Sequence, residues 1–258
     1  MTSFKAYSAN FILPITSKPL TDAVLVVDDR EIIDIGTKSE IQHRYPSLEI
    51  EDCGQSVIIP GLVNAHTHLD LLFFNAGNVD GIKTSFFETL IASWLFQKSQ
   101  TLTDRRQAID EGIHQLTRSG TTTVGDTGQF FGLIPQSVNA PLRMVLFPEI
   151  LTGGDSNIQE AYEAAFSQVD EIQASNSYKV TAGIAPYAGY TLSKHLLKIV
   201  SQQAAQLPVK IHAAETFSEM QFFMNRQEKL LINYFLKWDG ERHCLLLIEK
   251  HPYNTSIP

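Results

Sequence analysis

The stretch "SVIIPGLVNAHTHLD", residues 56–70, decides how the chain is read. A β-branched run ends at Pro60-Gly61, and a second apolar step carries His66-Thr67-His68 at its end. In a strand, side chains two apart share a face, so His66 and His68 point the same way and can converge on one ion. Neutral imidazoles suit Zn or Fe. Taken by itself, a His-x-His is more often two incidental histidines near a turn, because short motifs have many false positives.

Downstream of this stretch the pattern alternates. Strands are expected at 56–65, 121–126, 143–150, 179–185 and 208–214, separated by segments with helical spacing. The helices read as "SFFETLIASWLF", "TDRRQAIDEGIHQLTRSG" (Thr103 as N-cap, Asp104 in the first turn, Gly120 past the end), "NIQEAYEAAFSQVDEIQASN" and "SKHLLKIVSQQAAQ". Strand–helix alternation implies βαβ units and a parallel sheet. A doubly wound sheet and a partial (β/α)₈ barrel both fit that rhythm. The polar residues favour the barrel, since His66, His68, Asp126, Glu149 and His212 all stand at or just past strand ends, where barrels gather their chemistry. No G-x-G-x-x-G or Walker-type loop supports a nucleotide crevice. Residues 1–58 differ, with short strands and a hairpin signal in "AVLVVDDREIIDIG" around Asp28-Asp29-Arg30.

Composition narrows the function classes. The 258 residues are 43% hydrophobic, enough for one large domain or two modest ones. Twenty basic against 28 acidic residues give a net charge of −8, with no basic cluster for nucleic acid or an anionic membrane. Cys53 and Cys244 are far apart and in no metal or redox spacing, which suits a reducing cytoplasm. No signal-peptide pattern and no apolar run of about 20 residues is found, so a cytoplasmic protein without a membrane span is expected.

A second site signal is "VKIHAAET". His212 ends the last expected strand and Glu215 follows three residues later. A third imidazole from a different strand completes a plausible ligand set, and a carboxylate beside it can move protons. On spacing alone, a core histidine and a helix-start acid favoured by the dipole account for the pair equally well.

Four stretches in order, "SVIIPGLVNAHTHLDL", "SGTTTVGDTG", "PYAGYTLS" and "VKIHAAETFSE", resemble the amidohydrolase superfamily across roughly residues 20–223. The similarity is to the branch holding cytosine and guanine deaminases, triazine chlorohydrolases and adenosine-type deaminases. The resemblance implies a (β/α)₈ barrel beside a small β-sandwich built from both chain ends, with one divalent metal, Zn or Fe. It makes His66, His68 and His212 the metal ligands and Glu215 the proton carrier between the activated water and a leaving amine. Tyr187 stands where the family usually has a substrate-contacting histidine, so Tyr187, together with Trp94, is the candidate substrate contact. Asp126 and Glu149 match no catalytic position of the family, and a structural role holding loop backbone is expected for both. The implied partner is a small heterocyclic substrate, and a homodimer is expected by analogy.

The same resemblance calls for a histidine ending a sixth strand and an aspartate ending an eighth. Neither is placed. After about residue 223 the sequence loses its rhythm, and His243 and His251 sit in no matching context. Back-translation from Phe222 in a shifted frame permits a family-like string, so residues 224–258 are expected to be out of frame and the native product longer. The expected organisation is 1–58 as the N-terminal part of the β-sandwich, 59–223 as about five βα units of the barrel, and 224–258 as an atypical tail. The expected activity is metal-dependent deamination of an amino-substituted purine or pyrimidine. The alternative is an inactive truncated piece of such a hydrolase with at most residual metal binding.

Overall fold

In residues 5–12 and 20–27, apolar side chains cluster densely enough to build one sheet layer around two fully buried valines, Val24 and Val26. The structure, a computed structural model, describes residues 4–28, 31–75, 86–151, 158–191, 194–203 and 206–225. It divides into two units, Met1–Leu62 and Val63–Pro258.

The first unit holds β1 (Lys5–Ile12), β2 (Leu20–Val27), β3 (Ile32–Thr37), α1 (Lys38–Arg44), β4 (Ile50–Asp52) and β5 (Val57–Ile58). The sheet order is β3-β2-β1-β4, with β5 also on β1. β2 and β3 form the expected antiparallel hairpin; its turn is closed by Asp28, whose N–H donates to the Glu31 carbonyl and whose carboxylate accepts the Glu31 N–H at 2.7 Å. Asp29 and Arg30 lie outside the described residues. α1 starts at a capping box between Thr37 and Glu40 and buries Ile41 completely against Ala6, Val24 and Val26. Burying a side chain of that size contributes about 1.5–3 kcal/mol.

The single strand expected at 56–65 is two strands. Val57–Ile58 pairs parallel with Phe11–Ile12 of β1, whereas Leu62–Thr67 (β6) joins the other sheet. Pro60 lies between them. It has no N–H to give a ladder and its φ is fixed, so the chain leaves one sheet there and enters the next. Val57 is half exposed, so this piece is not the buried strand its sequence suggests.

The second unit continues with α2 (Phe86–Ser99), α3 (Leu102–Arg118), β7 (Thr121–Gly128), α4 (Ile134–Asn139), β8 (Arg143–Ile150), α5 (Ile158–Ala174), β9 (Val180–Ala182), β10 (Ala185–Pro186), α6 (Lys194–Gln203) and α7 (Phe217–Asn225). β8 pairs parallel with β7, β9 and β10, and β6 lies beside β7. β7 and β8 are buried along nearly their whole length, as parallel strands covered on both faces must be. Val124, Leu146, Ile184, Leu133 and Leu196 form the centre of that core.

Two local expectations are corrected. The N-cap of α3 is Thr101, not Thr103: its hydroxyl accepts the Asp104 N–H at 3.2 Å, and Asp104 returns a bond to the Thr101 N–H at 2.8 Å. An acid three residues after Thr101 completes that box, while Thr103 falls inside the first turn. Gly120 does lie past the helix end, with φ +80°. The fifth expected strand, 208–214, is reduced to two parallel bridges, Ile184 to Val209 and Ala188 to His212. Between the bridges three residues, Ala185–Tyr187, oppose two, Lys210 and Ile211, which makes a bulge. Pro186, which cannot donate, sits inside it. Among the described residues, no helix is long and apolar enough to cross a membrane.

Candidate metal centre

β6 delivers His66 inside the strand and His68 one residue past its end, and the bridge from Ala188 brings His212 to the same place. Ring centroids lie 5.1 Å apart for His66 and His68, 4.9 Å for His66 and His212, and 5.4 Å for His68 and His212. One nitrogen from each ring lies within 4.8 Å of the others. The residues therefore fit a divalent ion.

The donor atoms support the same fit. His212 Nδ1 lies 2.8 Å from Glu215 Oε1, leaving its buried Nε2 without a hydrogen-bond partner among the described residues. A carboxylate on one ring nitrogen, with the other directed at the ion, is the arrangement that fixes a ligating histidine's tautomer. Burial draws the His68 imidazole from 6.5 down to about 3, assisted by His212, His66 and Lys210 and opposed by a backbone hydrogen bond at Thr127. His66 is lowered too, by burial first and then by Lys210 and His212. At neutral pH both rings keep a free lone pair, the form a metal needs.

Two neighbouring carboxylates behave differently from each other. Asp126 is buried, and its Oδ1 accepts the Leu69 N–H and the Thr67 hydroxyl, both at 2.9 Å. It thus holds the Thr67 side chain before His68 and the Leu69 backbone after it, the structural task expected of it. Burial, the largest cause, pushes its carboxyl up to about 7 against the Leu69 hydrogen bond. Glu149 was expected to do the same and does not. Its Oε1 has no hydrogen-bond partner among the described residues and stands 3.8 Å from His68 Nδ1, too far for a hydrogen bond. Burial, with help from the Asp70 and Asp126 charges, pushes it up to about 8. Glu149 therefore sets an unpartnered carboxyl oxygen beside the histidines. Sequence reasoning missed this role, although the position of Glu149 at the end of β8 signals it.

The histidines open onto a cleft of about 220 Å³ whose wall includes Glu149, Glu215, Leu90, Trp94 and Tyr187. Trp94 and Tyr187 are both buried, with ring centroids 5.8 Å apart, and Tyr187 stands 5.4 Å from the His212 ring. The bulge at Ala185–Tyr187 carries Tyr187, and bulges re-aim side chains in this way. Arg105 donates to Asp70 at 3.2 Å and to the Gln129 carbonyl, a part-buried pair that sequence reasoning missed. His243 and His251 lie outside the described residues.

A model of the Amidohydrolase family matches residues 57–231. The chain belongs to the amidohydrolase family. As a member it is expected to use a divalent metal, and the three histidines form a cluster able to hold one. The amidohydrolase is 26% identical over 205 residues to the 5-methylthioadenosine/S-adenosylhomocysteine deaminase of Carboxydothermus hydrogenoformans, covering 78% of this chain and 47% of that one. It is also 26% identical over 204 residues to the adenosine deaminase of Helicobacter pylori, covering 78% and 48%. The chain thus spans about half the length of the curated relatives it matches. Its fold is shared with the solved Helicobacter pylori aminofutalosine deaminase in complex with methylthio-coformycin, at TM-score 0.75 and 22% identity, over 92% of this chain and 57% of the other. A Xanthomonas campestris adenosine deaminase with bound Zn gives TM-score 0.64 and 19% identity, over 90% and 55%. The partial barrel expected from strand–helix alternation is the fold of the amidohydrolase's second unit.

Gly125 of β7 sets how closely β6 approaches. A Cβ there would lie 2.6 Å from the Ala65 carbonyl oxygen, one residue from His66. Gly125→Ala is expected to force β6 and β7 apart, costing about 1–3 kcal/mol and lowering both the thermal midpoint and the metal stoichiometry. Calorimetry together with elemental analysis checks it; an unchanged midpoint would mean that β6 yields freely.

Proposed function

We propose that this amidohydrolase serves the hydrolytic deamination of an amino-substituted purine-type heterocycle, with His66, His68 and His212 as metal ligands. The observation that carries the reading is the convergence of three imidazoles from two separate strand ends, with Glu215 hydrogen-bonded to one of them. The two relatives described above, named as deaminases of adenosine-type compounds, support a purine over a pyrimidine. When bound, Zn or Fe would supply Lewis acidity and an acidified water for attack on the amine-bearing ring carbon. Glu215 takes the water's proton on its carboxylate and delivers it to the departing amine, so that ammonia leaves. Tyr187 and Trp94 form an aromatic wall for a planar ring, and the tyrosine hydroxyl can hydrogen-bond a ring substituent. The setting proposed is the cytoplasm.

A second reading is an inactive piece that keeps only metal affinity. An out-of-frame tail after about residue 223 belongs to this reading, although the family match runs on to residue 231. The gene sequence around Phe222 tests that part.

One experiment separates the two readings. The purified chain is loaded with Zn or Fe, its metal content is measured, and ammonia release is followed with adenosine, 5′-methylthioadenosine and aminopyrimidines. About one ion per chain with chelator-sensitive release from the purines supports deamination. A folded, metal-loaded chain that releases no ammonia from any of them sinks the first reading and leaves the second.

A further inference from the structure

Between His212 and α7 the chain makes a short loop whose shape is imposed from the helix side. Glu219, in the first turn of α7, is 1% exposed. Its Oε1 accepts the Ala214 N–H at 3.1 Å and its Oε2 accepts the Glu215 N–H at 2.6 Å. Its own N–H donates to the Thr216 hydroxyl at 3.2 Å. An ordinary capping box would return the carboxylate to the N-cap N–H, that of Thr216. Here the carboxylate passes Thr216 and takes the two residues before it. Ala214 is held at φ +56°, a left-handed conformation that an alanine adopts only when its surroundings require it.

We propose that Glu219 is a positioning residue for Glu215. Its two oxygens lock the backbone of Ala214 and Glu215, so that the Glu215 carboxylate stays on His212 Nδ1 and the His212 ring keeps Nε2 free. Glu219 thereby fixes a tautomer seven residues earlier in the chain without touching the ring. The inference rests on the proposed role of Glu215 as proton carrier, but its physical content is separable from turnover.

The test compares Glu219→Ala, Glu219→Gln and Thr216→Ala in the full chain, with circular dichroism as a check on folding. Nitrogen-15 spectra report the His212 tautomer, amide exchange reports Ala214 and Glu215, and a competition assay reports Zn affinity. Glu219→Ala is expected to raise exchange at both amides at least tenfold, to mix the His212 tautomers, and to weaken Zn about tenfold. Glu219→Gln, which keeps one acceptor oxygen, is expected to fall between Glu219→Ala and the parent. Thr216→Ala, which removes the helix cap but not the clamp, is expected to keep the parental His212 signal. Retention of the parental tautomer and amide protection in Glu219→Ala overturns the proposal. So does an equal loss in Thr216→Ala, which would reduce Glu219 to a helix cap. If the parent chain binds metal but releases no ammonia, the deaminase reading fails while the tautomer and exchange results still decide this one.

Discussion

Glu215→Gln is expected to abolish turnover while leaving the metal in place. Glutamine keeps an oxygen that can accept the His212 Nδ1 proton, at the 2.8 Å separation seen for Glu215, but it cannot carry a proton from water to amine. Loss of a general acid–base group costs about 10²–10⁴ in rate, or roughly 3–5.5 kcal/mol of barrier. Glu215→Ala removes the acceptor as well, and Zn affinity should then fall about 10–100-fold. The two variants therefore separate proton transfer from ligand orientation. Equal ammonia release from Glu215→Gln and the parent would place the proton carrier elsewhere, and Glu149 would be the first residue to examine.

The second large effect is expected at the histidines. Structural zinc sites bind with about 10–16 kcal/mol over four ligands, or roughly 2.5–4 kcal/mol for each. His66→Ala, His68→Ala and His212→Ala should each weaken Zn by about 10²–10³-fold. His114→Ala serves as the control, because that ring lies exposed on α3 and pairs only loosely with Glu111 at 4.0 Å. Isothermal titration of the metal-stripped chain reads all four. A histidine variant that binds Zn as tightly as the His114 control removes that residue from the ligand set. Burial draws His68 down to about 3, so at neutral pH no proton competes with the ion for its ring.

How the site is held was less legible than what it contains. Asp126 and Glu149 end adjacent parallel strands, and in sequence they look alike. One accepts two hydrogen bonds from the chain around His68; the other has a carboxyl oxygen with no partner and leans toward the His68 ring. Which carboxylate meets a backbone N–H depends on the path of β6 beside β7, which the spacing along β7 or β8 does not encode. Tyr187 was expected near the substrate from its place in a motif, but its position 5.4 Å from His212 comes from a bulge that no periodicity announces.

By itself the sequence determined the alternation of strand and helix, the facing pair His66 and His68, the later His212–Glu215 pair, and the helix end at Gly120. These are local properties: side-chain period, turn chemistry and spacing along one segment are written in consecutive residues. Tertiary structure decided the rest. It split the run at Pro60 between two sheets, brought His212 within 4.9 Å of His66, and turned the Glu219 carboxylate onto the backbone before its own helix. The physical reason is that pairing partners and buried acceptors are chosen by proximity across the sheet. That proximity depends on register and on close approaches such as Gly125 against Ala65, both of which exist only once the strands have packed.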